Sequence, residues 1–215
     1  MNKKYEIIPI PTRILTVHDD IVDAINEFGK GKVGPRDVVC VAESVVAITQ
    51  NRAFRNDDIH PGFWAKNLSQ LFPQKGSIAN PYSMQSLMNE EGTGKVIWAV
   101  ICGIVGKCMG KSGVFYEKAG EQARLIDDVT GTMPPYDKHI VYGPKNPKQV
   151  AERIARETGA FGGAVADVND LKRAFILGAS QGVDPKEIAQ ILIDNPFGNA
   201  SEKTPICVIK NYKQN

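Results

Sequence analysis

Asp37-Val38-Val39-Cys40-Val41-Ala42 is an apolar run entered from a carboxylate, and Ala164-Val165-Ala166-Asp167 is a second that ends on one. Neither alternates polar with apolar residues, so each predicts a strand covered on both faces, as inside a sheet flanked by helices. Helical patterns surround them. His18, Asp19 and Asp20 open a helix in which Ile21, Ile25 and Phe28 share a face, and Gly29 and Gly31 end it. Lys148 to Thr158 is amphipathic, with Val150, Ile154 and Ala155 inward and Gly159 as its stop. Asp184 to Ile193 carries Pro185 in its first turn. Tyr5 to Ile10 and Ile206 to Ile209 read as further strands. Loosely alternating strands and helices indicate an α/β (α+β) fold, a mixed sheet with flanking helices. A chain of 215 residues can bury one sizeable core, so a single domain over residues 1–215, or two interlocked lobes at about 1–125 and 126–215, is expected.

The middle of the chain is less regular. Asp57 to Glu91 looks helical in pieces, broken by Pro61, Pro73, Gly76 and Pro81. A buried helix is predicted from about Lys95, and a short strand over Val114 to Glu117. Gly131 to Pro147 reads as a proline-rich loop with Met133-Pro134-Pro135-Tyr136 as its stiffest part.

Composition excludes several function classes. The formal net charge is +2 without a long run of one sign, so nothing announces a nucleic-acid or membrane surface. The longest apolar stretch, Val96 to Val105, is about half of the ~20 residues a spanning helix needs. Met1 to Ile10 lacks the apolar run of a signal peptide. Cys40, Cys102, Cys108 and Cys207 have no CxxC spacing and read as reduced, buried thiols. A cytoplasmic protein is expected.

Two motifs bear on chemistry. Gly106-Lys107-Cys108-Met109-Gly110-Lys111-Ser112 ends like a phosphate-binding P-loop, but only three residues separate its glycines and it is expected to close a helix rather than open one. A helix C-terminus packed through small residues, with Lys107 and Lys111 near the negative end of the dipole, explains it better. The second motif is the acidic pair Asp127-Asp128 together with Asp167. A carboxylate at a strand's C-terminal end is where α/β proteins tend to hold ligands, and hard oxygen donors suit Mg²⁺ or Mn²⁺. The alternative for Asp167 and Asn169 is a turn cap. His18, His60 and His139 share no metal-binding spacing. No G-x-S-x-G, HExxH or GxGxxG occurs.

Taken together, these segments resemble the coenzyme F-420 γ-glutamyl ligase family. The resemblance runs through His18-Asp19-Asp20, Asp37 to Ala42, Ser44 to Arg52, Leu125-Ile126-Asp127, Ala166-Asp167-Val168-Asn169, and Gly198-Asn199 with Pro205 to Lys210. It implies a γ-glutamyl-ligase-like fold in a divergent short member. It implies metal-binding, catalytic aspartates at Asp127 and Asp167, and a nucleotide-contacting turn over Pro11, Thr12, Arg13 and Ile14. A phosphate-contacting hydroxyl falls on Ser44, with Arg52 and Asn169 completing the cofactor-binding set. The hydroxyl expected after the second aspartate falls on Val168. The family's lysine falls on Ile48, its C-terminal glutamate on Asn199, and its glycine-arginine on Asp170-Leu171.

The chemistry implied is acid–amine ligation. GTP or ATP, with Mg²⁺ or Mn²⁺, would activate a small-molecule acid acceptor as an acyl phosphate, which the amine of L-glutamate would displace. Arg52 and Lys111 are candidates for added positive charge, and the loop around Tyr136 for closing over the acceptor. A homodimer is expected by resemblance. The competing expectation is a non-catalytic nucleotide- or metabolite-binding protein of the same fold.

Overall fold

The computed structural model describes residues 5–74, 76–126, 134–169, 172–198 and 202–213. The chain divides into two compact units, one comprising Met1–Asn51 with Pro144–Asn215 and the other Arg52–Gly143. Unit 1 is therefore assembled from both ends of the chain, and the boundaries do not fall at 125/126.

In chain order unit 1 begins with β1 (Ile7–Ile10), α1 (Ile21–Phe28), β2 (Val38–Ala42) and α2 (Glu43–Thr49). Unit 2 follows with β3 (Ala53–Arg55), α3 (Phe63–Ser69), α4 (Pro81–Glu91), α5 (Thr93–Cys108), α6 (Val114–Ala119), α7 (Gln122–Leu125) and β4 (His139–Val141). The chain returns to unit 1 through α8 (Pro147–Thr158), β5 (Gly162–Asn169), β6 (Arg173–Ala179), α9 (Pro185–Ile191) and β7 (Ile206–Ile209).

The sheet of unit 1 has the order β1-β7-β2-β5-β6. Only β2 and β5 run parallel; the other neighbours are antiparallel. The sheet is mixed, as its sequence implies. Side chains alternate across a strand, and β2 divides accordingly. Val39 and Val41 join Ile21, Ile25 and Ile154 in one core, while Val38 and Cys40 join Ile188, Leu192 and Cys207 in the other. Two covered faces are why β2 is apolar throughout. On the first face α8 lies close against β5 and β6. A Cβ at Gly163 would sit 2.4 Å from the Ala151 carbonyl, and one at Gly178 2.3 Å from the backbone of Lys148.

The ends of α1 follow their local chemistry. Asp20 Oδ1 accepts from the amides of Val22 and Asp23, relieving two of the first turn's unpaired donors. Arg153 of α8 donates to both oxygens of Asp20 at 2.6 and 2.9 Å, tying α8 to this cap. Asp37, buried before β2, accepts from the amides of Gly34 and Asn211 and from Lys210 Nζ. It thereby anchors the exit of β7 to the entry of β2.

In unit 2, β3 and β4 form a two-stranded ribbon. The helices enclose a core that includes Met84, Leu87, Val96, Ala99, Phe115 and Ile140. Three expectations change here. Val114 to Glu117 lies in a helix, because Phe115 and Ala119, four apart, are its buried positions and Gly113 and Gly120 bracket it at positive φ. The stretch read as one proline-rich loop contains β4, which pairs with β3. The helix from Lys95 is buried on one face only: Val96 and Ala99 are fully covered, whereas Trp98 is 60% and Ile104 52% exposed. No helix among the described residues is long and apolar enough to cross a membrane.

Candidate active site

Four chain segments leave or enter the sheet of unit 1 at one end. Ile10 of β1 and Val41 of β2 both pair with Ile206 of β7, and Ala42 pairs with Ala166 of β5. Beyond these pairs the Thr12 amide donates to the Lys203 carbonyl, and the Ala42 amide to that of Pro205, each at 2.9 Å. Pro11 and Thr12 after β1, Glu43 and Ser44 after β2, and Asp167 on β5 therefore share the carboxyl end of the parallel pair. This is the position at which open α/β sheets receive ligands.

Asp167 is half-buried on β5, directly after a register shift between Val165 and Ala166. Such a bulge re-aims the side chains that follow it. Burial pushes the Asp167 carboxyl above its ordinary pKa, since desolvation penalises the charged form. No cation lies against it among the described residues. Glu43 enters α2 beside it and is buried, and Ser44 occupies the first turn of the same helix. Asn169 ends β5 opposite Arg173. Asp127 and Asn199 lie outside the described residues, as do Asp128, Asp170 and Leu171.

The other nominated residues have engagements of their own. Arg13 donates from both terminal nitrogens to Asp19, which also accepts from the Thr16 amide. The Arg13 contact holds the Asp19 carboxyl well below the usual range. Thr12 donates its hydroxyl to the Arg13 carbonyl, and Ile14 is half-buried beyond them. Ile48 is 7% exposed, an apolar core position of α2 without any charge. Arg52 belongs to unit 2, where it is 4% exposed, donates from Nε to the Gly143 carbonyl at 2.7 Å and from Nη2 to Glu90 at 2.8 Å, and lies over the Tyr142 ring. Those contacts occupy its guanidinium.

The P-loop-like segment is a helix ending. Gly110, at φ +74°, follows α5; its amide bonds the Lys107 carbonyl and the Lys111 amide bonds that of Gly106 at 2.8 Å. This is a Schellman closure. The amides a phosphate would need are spent on the helix's own carbonyls. Gly106 also admits Val114 of α6, whose Cγ2 would lie 2.6 Å from an added Cβ.

Two features were missed from sequence. One is β6, with Phe175, 63% exposed, as the register partner of Asp167, and Arg173, exposed without an ion pair among the described residues. The β-forming run Arg173 to Ala179 was the available signal. The other is a cavity of about 290 Å³ in unit 2, lined by Ser77, Ile78, Tyr116, Ala123, Arg124 and Ile126. Among the described residues no three His, Cys, Asp or Glu side chains cluster as a metal site.

The family model of F420-0:gamma-glutamyl ligase matches residues 9–168. The chain belongs to this family. The matched span runs from the end of β1 to Val168 and includes both aspartates, Asp127 and Asp167. It places the protein among the ligases of F420 biosynthesis, an α+β chain as the sheet and helices of both units require. β6, α9 and β7 follow beyond the match. Among curated proteins none matches the chain.

Proposed function

We propose that this family member is a nucleotide- and divalent-metal-dependent amide ligase that adds L-glutamate, or another amine, to a small carboxylic acid at the carboxyl end of the unit 1 sheet. The observation that carries the reading is the convergence there of Thr12, Ser44 and Asp167, three polar positions from distant parts of the sequence. Asp167 fits the metal the family implies. Its carboxylate is a hard oxygen donor, half-buried, with no cation against it among the described residues. Asp167 and Asp127 would hold Mg²⁺ or Mn²⁺, which when bound neutralises charge on the phosphates of GTP or ATP.

The remaining steps fall to the chain's own groups. The acceptor carboxylate attacks the γ-phosphorus, a nucleoside diphosphate leaves, and the amine then displaces phosphate at the acyl carbon and loses one proton. Such transfer depends on positioning and charge compensation. Ser44 donates to phosphate oxygens in this scheme. Arg173 supplies the positive charge that Ile48 does not, and the exposed ring of Phe175 offers a face for the purine. The active form is a cytoplasmic homodimer, as the family resemblance implies.

A second reading, a nucleotide- or metabolite-binding protein without catalysis, is favoured by one observation: the position that the resemblance gives to a lysine is the buried Ile48. Calorimetry with GTP and ATP, with Mg²⁺ and with chelator, separates the two from a protein that binds neither, and phosphate release with glutamate and an acid acceptor separates them from each other. Nucleotide binding that persists in chelator and in Asp167→Asn would overturn the metal-bridged scheme.

A further inference from the structure

The cavity of about 290 Å³ lies wholly within unit 2. Ile78, Ala123 and Ile126 are buried and give it an apolar inner wall. Ser77 and Tyr116 are half-buried and Arg124 is exposed, so the polar groups stand at its mouth. Each of the three comes from a different element: Ser77 from the short helical turn Ser77–Ala79 ahead of α4, Tyr116 from α6 and Arg124 from α7. An apolar pocket with a few convergent polar groups is the ordinary form of a small-molecule site.

The three polar groups are held in place without being used. The Ser77 carbonyl accepts from the Asn80 amide, which leaves the Ser77 hydroxyl clear. Tyr116 packs edge-to-face on Phe115 with ring centroids 5.2 Å apart, and Phe115 does the same on Phe72 at 4.6 Å. The Tyr116 ring is thereby fixed, while its hydroxyl has no partner among the described residues. Glu91 locks the turn before α7, accepting from the Gln122 amide and pairing with Lys95. That carboxylate is spent on these two partners. The Arg124 guanidinium has neither an ion pair nor a hydrogen bond among the described residues. A preformed pocket with free donors loses little further order when a ligand enters.

We propose that this cavity binds a small organic monocarboxylate, with its carboxylate on the Arg124 guanidinium and its hydrocarbon body against Ile78, Ala123 and Ile126. The proposal goes beyond the ligase reading and draws only on unit 2. A guanidinium presents two parallel N–H donors that match the two oxygens of a carboxylate. The hydroxyls of Ser77 and Tyr116 can each donate to the same group or accept from a polar substituent of the ligand. A phosphate ester would bring nearly two negative charges to a single cation beside an apolar wall, so a carboxylate is the better match. At ~30 Å³ per water the volume equals that of about ten waters, room for a ligand of roughly ten to fifteen non-hydrogen atoms. Ordinary ligand efficiency at that size gives a Kd on the order of a millimolar.

4-Phenylbutanoate is a probe of this size and charge. Titrated into the full chain without nucleotide or metal, it should saturate in the millimolar range and shift the backbone amide NMR signals of Ser77, Ala123 and Arg124. Its neutral isostere 4-phenylbutanamide should bind about tenfold more weakly or worse, because the bond to the charged group is lost. Arg124→Gln should weaken 4-phenylbutanoate binding to the same extent with an unchanged circular dichroism spectrum, since Arg124 is exposed. Tyr116→Phe keeps the ring and should cost about threefold. Arg156→Gln, which alters an exposed arginine paired with Glu157, should leave the affinity as it is. Equal binding of acid and amide, an affinity indifferent to Arg124→Gln, shifts confined to unit 1, or no saturation overturns the proposal. Tighter binding of phenyl phosphate than of 4-phenylbutanoate would overturn the carboxylate class. Neither nucleotide nor metal is present, so failure here is distinct from failure of the ligase reading.

Discussion

Ala42 of β2 and Ala166 of β5 are register partners in the parallel pair, so Glu43, which leaves the sheet for α2, and Asp167, which stays on β5, are the next residues of neighbouring strands. That register brings Asp167 to the carboxyl end of the parallel pair, and its first consequence concerns this acid. Burial raises the pKa of this acid, so the folded state holds its proton more tightly than the unfolded chain. Stability is then lost as pH rises from about 4, the unfolded aspartate value, through the raised folded value. Asp167→Asn should equal the wild type in thermal melts at low pH and exceed it at pH 7. The same change should weaken Mg²⁺-dependent nucleotide binding tenfold or more, while Asp170→Asn should do little. A variant no more stable at pH 7 would count against the burial argument.

The cap of α1 gives a prediction of opposite sign. Burial of Asp20 opposes ionisation, but Arg153 and the amides of α1 outweigh it and hold its pKa below the ordinary value. The stabilisation is therefore present above the unfolded value and is lost as pH falls through the depressed one. Asp20→Asn keeps an N-cap acceptor and should lose up to about 1 kcal/mol, the ceiling for a partly exposed ion pair. Asp20→Ala loses the cap as well and should cost about 1 kcal/mol more. Denaturant melts at pH 7 distinguish the two, and equal values would show that the cap contributes nothing.

Strands and caps of unit 1 are legible because their causes are local. Asp20 and Asp184 precede their helices by one residue and accept from the first-turn amides, and β2 announces its two covered faces through an unbroken apolar run. Unit 2 is less legible because its decisive contacts are distant in sequence. Val114-Phe115-Tyr116 is strand-like in isolation, yet it is helical because Gly103 and Gly106 of α5 leave room for Phe115 and Val114. Likewise, Ser44 and Asp167 could be nominated singly from sequence. Their convergence is a property of register, and Phe175 becomes relevant only once β6 pairs with β5.

Arg52 tests whether a residue nominated for phosphate binding is structural. Its guanidinium is buried against Glu90 and the Gly143 carbonyl. Arg52→Met should destabilise the protein by about 3 kcal/mol, the lower end for stripping one member from a buried pair. Arg52→Met with Glu90→Leu should recover part of that loss. Urea melts provide the check, and nucleotide affinity of the folded double variant should match the wild type.

The α5 terminus makes the P-loop question decidable. Lys111→Ala should leave nucleotide affinity unchanged, because the neighbouring amides serve the Schellman closure. Gly110→Ala, at φ +74°, should cost about 1 kcal/mol, and Gly106→Ala about 1–3 kcal/mol through overpacking against Val114. A tenfold loss of affinity in Lys111→Ala would restore the P-loop reading.

Unit 1 takes its first strands from residues before 52 and its last from residues after 143. During synthesis β1 and β2 must wait for β7, which pairs with both, whereas unit 2 is contiguous and can close as soon as it emerges, at ~5–20 residues per second. Folding during synthesis thus starts in the middle of the chain, with unit 2, and is completed when β7 arrives. The two crossings also lie together: the Gln50 side chain accepts from the Lys145 amide and donates to the Lys145 carbonyl. That staple marks where the intervening cassette could be excised and the chain rejoined by a short link, to ask whether the sheet alone still binds a nucleotide.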